Sequence, residues 1–191
     1  MPFWQMALMP DRLQAGDIEL CRWQSHYVDE ITTAIESSYP ELRRWMAWAQ
    51  TVPSGDAMSA VIAVGVASFE ADREWQYALR EAASGELVGG AGLHRRGGPD
   101  ALEIGYWVRT DRTGRGYATS AARALTDAAF AVQGFERVEI HMDQANLASA
   151  AVPRKLGYRL VLEEDREVLA PGHSGRGFVW AVERSSWLQK W

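Results

Sequence analysis

The sequence is poor in the residues that build disulfide scaffolds and metal sites. Among its 191 residues there are one cysteine, Cys21, and four histidines. A single cysteine cannot form an intramolecular disulfide, and no cluster of cysteine and histidine has the spacing of a zinc site. The composition therefore excludes a disulfide-stapled secreted domain, and we expect no bound metal.

The chain also lacks long apolar runs and any excess of positive charge. No stretch approaches the roughly 20 apolar residues of a membrane span, and the N-terminal residues show no signal-peptide pattern. The net charge of −5 gives no general attraction to nucleic acid or to anionic membranes. We therefore expect a cytoplasmic protein whose partners are neither nucleic acid nor membrane.

The remaining composition is that of an ordinary globular protein, with 47% hydrophobic and 24% charged residues. A chain of this length can bury a sizeable core. Neither a linker nor an internal repeat divides the sequence, so we expect a single domain over residues 1–191, as a monomer or a homodimer.

Hydrophobic periodicity predicts an α+β fold after an irregular lead at residues 1–17. Strands are predicted at residues 18–23, 74–80, 87–95, 102–109, 137–142, 159–163 and 177–182. Helices are predicted at residues 27–38, 40–49, 56–73 and 146–156, and another carries small apolar residues from Ala118 to Val132. The strands before residue 109 follow one another as an antiparallel meander, whereas the strand at 137–142 can run parallel to the one at 102–109 because a helix connects them.

The segment 112–119, RTGRGYAT, is the most informative part of the sequence. A predicted strand enters it and a predicted helix leaves it. Gly114 and Gly116 allow a tight turn and a close approach of the backbone to a ligand. The first amides of the helix have no partners within the helix and attract anions. The segment therefore predicts a phosphate or pyrophosphate site, to which Arg112 and Arg115 add charge.

Two known phosphate-binding motifs fit this turn poorly. A P-loop requires Lys-Ser/Thr after its last glycine, and here Tyr117 follows Gly116. The dinucleotide fingerprint G-x-G-x-x-G/A meets Thr119 at its third position, and Asp143 lies later than the acidic residue that the fingerprint expects. A dinucleotide-dependent oxidoreductase would also need a Rossmann sheet, which the antiparallel meander disfavours.

Four motifs around the turn carry a family resemblance: EIGYWV at 103–108, RGYAT at 115–119, NLAS at 146–149 and KLGY at 155–158. In order and spacing they resemble the GNAT N-acetyltransferase superfamily, and within it the ribosomal-protein N-terminal acetyltransferase (RimJ/RimL-type) group. Residues 42–49, LRRWMAWA, resemble that group too. One departure is Thr113, which stands where the superfamily turn has Gln or Arg. The resemblance implies a mixed, mostly antiparallel sheet of six to seven strands with helices on both faces.

The resemblance also implies acetyl-CoA as the acyl donor and an amine as the acceptor. The residues that would contact acetyl-CoA are Trp107, Val108, Arg109, Arg112, Gly114, Arg115, Gly116, Tyr117, Ala118, Thr119, Asn146 and Ser149. Of these, Ser149 is the candidate acid for the departing thiolate, or at least the group that hydrogen-bonds the thiolate. An alternative for the NLAS motif is that Asn146 caps a helix with Ser149 in its first turn, and the two roles are compatible.

Glu103 is the candidate general base, because a glutamate at the matching position serves as base in some members of the superfamily. The alternative is a solvent-facing glutamate on an alternating strand. Alternation puts Glu103, Gly105, Trp107 and Arg109 on one face and the intervening residues on the other. A β-bulge in this strand would shift that pattern.

The helices between residues 27 and 73 would lie over the acceptor cleft, if the resemblance holds. Candidate acceptor contacts are Glu36, Trp45, Trp48 and His173. The alternatives are packing for the tryptophans and solvation for the carboxylates, which applies equally to Glu41 and Asp143. The other histidines, His26, His94 and His141, are interpreted as structural or surface residues.

The preferred function is transfer of an acetyl group from acetyl-CoA to a primary amine by direct attack. The acceptor is either a protein N-terminus or a small amine such as an aminoglycoside. The alternative is a GNAT-like module that binds acyl-CoA, regulates and does not turn over. Glu103 and Ser149 favour the enzyme, whereas Thr113 favours the module.

Overall fold

One open sheet of eight described strands organises the structure, a computed structural model that describes residues 8–132 and 134–189. The strands are β1 (Arg12–Ala15), β2 (Ile18–Arg22), β3 (Trp75–Glu81), β4 (Leu87–His94), β5 (Ala101–Val108), β6 (Arg137–Asp143), β7 (Arg159–Asp165) and β8 (Arg176–Glu183). Their order across the sheet is β1-β2-β3-β4-β5-β6-β8-β7. The described helices are α1 (Val28–Ser37), α2 (Tyr39–Trp45), α3 (Gly55–Glu70), α4 (Tyr117–Ala131), α5 (Leu147–Leu156) and α6 (Arg184–Leu188).

The sheet splits in its middle, between β5 and β6. Among the described strands these two alone run parallel, joined by α4, and their register covers only three pairs, from Ala101↔Arg137 to Glu103↔Glu139. Beyond Glu103, β5 continues to Val108 and β6 to Asp143 without pairing to each other. The strands diverge there and leave a gap that opens toward the start of α4, and this gap positions the site.

Two hydrophobic clusters cover the two faces of the sheet. In one, α4 packs against residues of β5 such as Leu102 and Ile104. In the other, α1 and α3 pack against the opposite face, where Trp107 lies. The alternation predicted for this strand is therefore confirmed, and β5 keeps a continuous register with β4 from Glu103 to Val108.

The predicted fold class is confirmed, with one strand more than expected. The added strand, β1, lies within residues 1–17, which were predicted to be irregular, and it pairs with β2. It is four residues long, lies at the edge of the sheet and buries mainly Ala15, so its sequence carries almost no alternation to detect. The mixed sheet also differs from the Rossmann sheet that a dinucleotide-binding protein would need.

Two helices end earlier than predicted, at Trp45 instead of residue 49 and at Glu70 instead of residue 73. The helix predicted at 40–49 ends at Trp45, because Met46 is extended (φ −105°, ψ 117°) before a short 3-10 turn at Ala47–Ala49. Helix α3 forms despite its β-branched residues, and Ser54 caps it by accepting a hydrogen bond from the Ala57 amide. In the part of the chain described here, no helix has the length and apolarity to cross a membrane.

Candidate active site

The glycine turn after β5 has the geometry that its sequence predicts. Gly114 and Gly116 have φ values of +77° and +85°, a region that residues with a side chain rarely adopt. Helix α4 begins directly afterwards, and its first internal hydrogen bond runs from the Ser120 amide to the Gly116 carbonyl (3.0 Å). The preceding amides, from Tyr117 to Thr119, are therefore available to an anionic ligand.

A cavity of about 300 Å³, the turn cavity, lies in front of these amides. A Cβ added at Gly114 or Gly116 would meet nothing within 4 Å, so the space above both glycines is open. The cavity brings together all the predicted acetyl-CoA contacts except Arg109 and Arg115. Its lining also includes Tyr106 and Lys155, which the sequence analysis did not single out.

The arginines near the turn are engaged with carboxylates. Arg109 bonds to the Leu87 carbonyl (3.0 Å) and pairs with Glu86 and Asp111. Arg112 donates to the same two carboxylates, each at 2.7 Å, and its hydrogen bond is the first cause that lowers the pKa of Glu86. The charge expected of Arg112 is thus largely compensated by these two carboxylates.

Arg115 is also directed away from the turn cavity. Its half-exposed side chain lies 3.6 Å from Glu81. Glu81 in turn accepts a hydrogen bond from the Tyr117 hydroxyl (2.6 Å), and this bond is the largest cause that lowers the pKa of Glu81. Lys155, on the last turn of α5, is therefore the cation among the cavity-lining residues that the sequence analysis overlooked.

Asn146 and Ser149 occupy the first turn of α5 beside the gap. The Asn146 side chain caps the helix by accepting a bond from the Ser149 amide (3.0 Å), which is the alternative role considered above. The Ser149 hydroxyl lies 3.0 Å from the Tyr106 hydroxyl, which also donates to the Ser149 carbonyl (3.1 Å). Burial raises the pKa of Tyr106 to about 12. Capping leaves the Ser149 hydroxyl in the lining of the cavity.

A second cavity of about 870 Å³, the large chamber, adjoins the turn cavity across the gap. The two cavities share the lining residues Trp45, Met46, Tyr106, Trp107, Asn146 and Ser149. The lining includes a set of neighbouring polar side chains, called the polar half below: Glu74, Gln76, His94, Arg96, Glu103 and His141. It also includes four indole rings, called the apolar half below, those of Trp23, Trp45, Trp48 and Trp107.

Glu103 lies in the polar half of the large chamber, and its side chain is 16% exposed. Its carboxylate oxygens are 3.7 Å from His141 Nδ1 and 3.8 Å from an Arg96 nitrogen. The location therefore differs from the solvent-facing alternative, because the carboxylate faces an enclosed space with charged neighbours.

His141 is held between an arginine and a buried carboxylate. Arg166 lies 3.0 Å from its Nδ1, and its Nε2 is 2.6 Å from an Oε2 of Glu139, a residue only 6% exposed. Because Arg166 can only donate, Nδ1 accepts and Nε2 carries the proton that is donated to Glu139. Arg137 pairs with the other oxygen of Glu139 at 2.7 Å. This chain of contacts fixes the imidazole beside Glu103.

His94 completes the polar half of the chamber. Its Nδ1 lies 3.1 Å from Glu74, and its Nε2 lies 3.5 Å from the Gln76 amide nitrogen. The interpretation of His94 and His141 as structural or surface residues is therefore incomplete, since both line the chamber beside Glu103. The strand register could have predicted these positions. His94 pairs with Glu103 between β4 and β5, and Glu139 of β6 lies opposite Glu103.

The other candidate acceptor contacts separate into two groups. Trp45, Trp48 and His173 line the large chamber, whereas Glu36 is exposed on α1, outside the lining residues of both cavities. The carboxylates of Glu41 and Asp143 are hydrogen-bonded to neighbouring protein groups. Glu41 accepts from the Trp45 indole (2.9 Å), and Asp143 accepts from the Ser174 amide and hydroxyl (2.9 and 2.8 Å).

The split sheet and the glycine turn at the start of a helix match a known domain family. The family model described as an acetyltransferase (GNAT) domain matches residues 17–159. The chain belongs to this family, and the resemblance to the GNAT superfamily inferred from its motifs is confirmed.

Two curated relatives come from Bacillus subtilis (strain 168). The uncharacterized protein YkkB is 29% identical over 119 residues, which cover 61% of this chain and 60% of YkkB. The probable N-acetyltransferase YjcK is 31% identical over 91 residues, which cover 47% of this chain and 50% of YjcK. The chain thus spans between half and three-fifths of the length of the curated relatives it matches.

Solved structures share the fold at low sequence identity. RimL, a ribosomal L7/L12 acetyltransferase in complex with coenzyme A, has a TM-score of 0.81 at 18% identity, covering 93% of this chain and 98% of RimL. The self-immunity acetyltransferase MccE with acetyl-CoA and AMP has a TM-score of 0.80 at 17% identity, covering 88% and 93%. Mycobacterium smegmatis RimJ in complex with CoA-disulfide has a TM-score of 0.77 at 22% identity, covering 90% and 84%.

Proposed function

We propose that this protein transfers the acetyl group of acetyl-CoA to a primary amine by direct attack. The observation that carries the proposal is the junction of the two cavities at Tyr106, Trp107, Asn146 and Ser149. A thioester that reaches this junction from the turn cavity would meet an amine that reaches it from the large chamber, where Glu103 lies. Direct transfer requires this proximity of the two reactants.

The residues of the turn cavity fit the phosphate end of acetyl-CoA. The amides at the start of α4 provide donors, the two glycines leave their space open, and Lys155 adds a positive charge. The gap between β5 and β6 provides a path from this end to the junction. The coenzyme complexes of RimL and MccE, which share the fold, support the same assignment.

Glu103 is the proposed base. An alkyl ammonium cannot attack until its nitrogen loses a proton, and a carboxylate within the chamber can accept that proton directly or through one water. The Glu103 carboxylate has His141 Nδ1 and an Arg96 nitrogen within 4 Å. The acetyl group of bound acetyl-CoA supplies the carbonyl carbon to which the free amine nitrogen bonds, and the carbon–sulfur bond then breaks.

A backbone amide of β5 is the proposed donor to the tetrahedral oxyanion. The Arg109 amide donates to the Val88 carbonyl (2.9 Å), so it faces β4. Because amide directions alternate along a strand, the Val108 amide faces the gap and the Trp107 amide faces β4. Of these two amides, the geometry therefore favours that of Val108 as the oxyanion donor.

Ser149 is the proposed acid that protonates the departing thiolate. The Tyr106 hydroxyl donates to the Ser149 carbonyl, so the bond between the two hydroxyls has Ser149 as donor in this state. When the thiolate forms, the Ser149 proton passes to the sulfur, and the proton that the attacking nitrogen loses after the new bond has formed returns to Ser149. Tyr106 stays protonated because burial raises its pKa to about 12, so it positions Ser149 rather than titrating.

An amine panel with acetyl-CoA, followed by released thiol, tests this function. Release that depends on both acetyl-CoA and an amine is expected, and calorimetry should show binding of acetyl-CoA with little binding of NAD. Preference for NAD would overturn the proposal. Acetyl-CoA binding without amine-dependent release would favour the second candidate, a silent acyl-CoA-binding module. That candidate gains support from Thr113, whose hydroxyl donates to the Thr110 carbonyl (2.9 Å) instead of facing a ligand.

A further inference from the structure

The lining of the large chamber combines charged side chains around Glu103 with four indole rings, and this combination defines a class of acceptor. We propose that the acceptor is a small primary amine that carries an aromatic body, with its ammonium group at Glu103 and its ring among the indoles. The inference rests on the acetyl transfer proposed above and selects among the amines that the reaction allows. It disfavours both a polypeptide N-terminus and a polyhydroxylated aminoglycoside.

The apolar half of the chamber is built to present aromatic surfaces. A Cβ at Gly65 of α3 would lie 2.7 Å from the Trp23 ring, and one at Gly90 of β4 would lie 2.6 Å from Trp107 Nε1. Both indoles therefore lie directly against backbone where a side chain is missing. Trp48 meets Trp107 edge to face, with ring centroids 6.4 Å apart. Such surfaces favour a flat apolar body, which they contact through offset and edge-to-face geometry.

The polar half of the chamber suits a cation. Its lining carries the carboxylates of Glu74, Glu103, Asp143 and Glu167 and the guanidinium groups of Arg96 and Arg166. Arg166 is already paired with Glu164 (2.7 Å) and bonded to His141, and Arg96 is mostly exposed at the edge. An ammonium group is therefore attracted to the carboxylates of this lining.

The wall opposite the sheet limits the size of the acceptor. The segment 166–175 between β7 and β8 crosses to α2, where the Gly172 amide donates to the Arg44 carbonyl (2.8 Å) and His173 Nε2 donates to the Trp45 carbonyl (3.0 Å). A Cβ at Gly172 would lie 2.6 Å from that Arg44 oxygen. A polypeptide leaving the chamber here would have to break these bonds. The volume of about 870 Å³ lies in the range of small-molecule sites, about 300–1,000 Å³.

Equilibrium binding of amines to the protein saturated with coenzyme A tests the proposal without turnover. Four probes separate the classes: 2-phenylethylamine, n-butylamine, an aminoglycoside and a hexapeptide with a free N-terminal alanine. We expect 2-phenylethylamine to bind about tenfold more tightly than n-butylamine, since burial of the ring supplies roughly 1.4 kcal/mol, which corresponds to tenfold. Equal affinities for these two amines, or tighter binding of the aminoglycoside or the peptide, would overturn the proposal.

Trp48 offers a variant that reports on the ring without threatening the fold, because its side chain is 52% exposed. Trp48→Ala should weaken 2-phenylethylamine about 3- to 10-fold and leave n-butylamine unchanged. Trp48→Phe should restore most of the loss, and Val64→Ala, an exposed position on α3 outside the chamber lining, should have no effect. An equal loss for both amines in Trp48→Ala would contradict the aromatic site.

The two proposals fail in different ways. If 2-phenylethylamine binds with the expected preference but is not acetylated, acetyl transfer is wrong and the amine class stands. If the aminoglycoside or the peptide is acetylated with no preference for aromatic amines, acetyl transfer stands and the amine class is wrong.

Discussion

The turn cavity and the large chamber are specified by the sequence in different ways. One continuous segment, residues 110–119, forms the floor of the turn cavity with its backbone, and two glycines fix its shape. The large chamber is assembled from side chains of distant elements, from Trp23 after β2 to His173 before β8. Variants in the first should change coenzyme affinity, and variants in the second should change the reaction of the amine.

Among variants of the large chamber, Glu103→Gln should cause the largest loss of activity. The change keeps the shape of the side chain but removes the base, so kcat/KM should fall roughly 10²- to 10⁴-fold. Steady-state kinetics across pH measures the effect, and calorimetry should show unchanged binding of acetyl-CoA.

Glu163→Gln serves as the control for Glu103→Gln, because Glu163 is exposed on β7. A loss confined to the amine KM would make Glu103 an ammonium-binding residue. No loss at all would transfer the role of base to water.

Gly116→Val should break the turn cavity. A side chain here occupies the open space in front of the amides, so the Kd of acetyl-CoA should rise about 100-fold. Gly134→Val is a matched control, since Gly134 also has positive φ (+97°) and open space around its Cβ position but lies at the other end of α4. Both variants should lower Tm by similar amounts. Equal loss of coenzyme binding in both would mean that backbone strain alone causes it.

Ser149 lines both cavities, so Ser149→Ala should affect the chemical step where the two cavities meet. Removal of the acid should lower kcat about 10- to 100-fold with little change in acetyl-CoA affinity. A rise in the KM of acetyl-CoA at constant kcat would instead reassign Ser149 to binding.

Tyr106→Phe should have a smaller effect, because it removes one hydrogen bond from Ser149. We expect kcat to fall about threefold. The pKa of Tyr106 is raised to about 12, so the hydroxyl is neutral below that value and the threefold factor should be the same from about pH 6 to about pH 10. A factor that shrinks as the pH rises would show that Tyr106 itself supplies the proton, because the protonated fraction of an acid falls with pH.

Lys155→Met should give the smallest effect. It keeps the length of the side chain and removes one half-screened charge from the turn cavity, so the Kd of acetyl-CoA should rise about threefold, and less at high salt. The adjacent Arg154 contacts the Trp180 ring instead, and Arg154→Met should leave the Kd unchanged. Equal rises in Kd for Lys155→Met and Arg154→Met would indicate that the overall electrostatic field of the protein, and not a direct contact of Lys155, affects acetyl-CoA binding.

How well the sequence predicts the structure also differs between features set by local sequence and features assembled from distant elements. The turn, the helix after it and the parallel pairing of β5 with β6 follow from local patterns, because glycine, strand alternation and helix periodicity act over a few residues. The positions of His94, His141 and Tyr106 do not, since they depend on strand register and on the contact between β5 and α5. Arg112 was expected to bind phosphate, and its pairing with Glu86 depends on a turn 26 residues away in the sequence.

The split between β5 and β6 has a consequence for hydrogen exchange. Past Glu103, alternate amides of β5 point into the gap, where no described strand receives them, while the others stay bonded to β4. In the free protein the amides of Tyr106 and Val108 should therefore exchange with deuterium faster than those of Gly105 and Trp107. A ligand whose carbonyl groups accept hydrogen bonds from the gap-facing amides would slow their exchange to the rate of the amides bonded to β4. Exchange rates along β5 alone would then show whether a ligand occupies the gap.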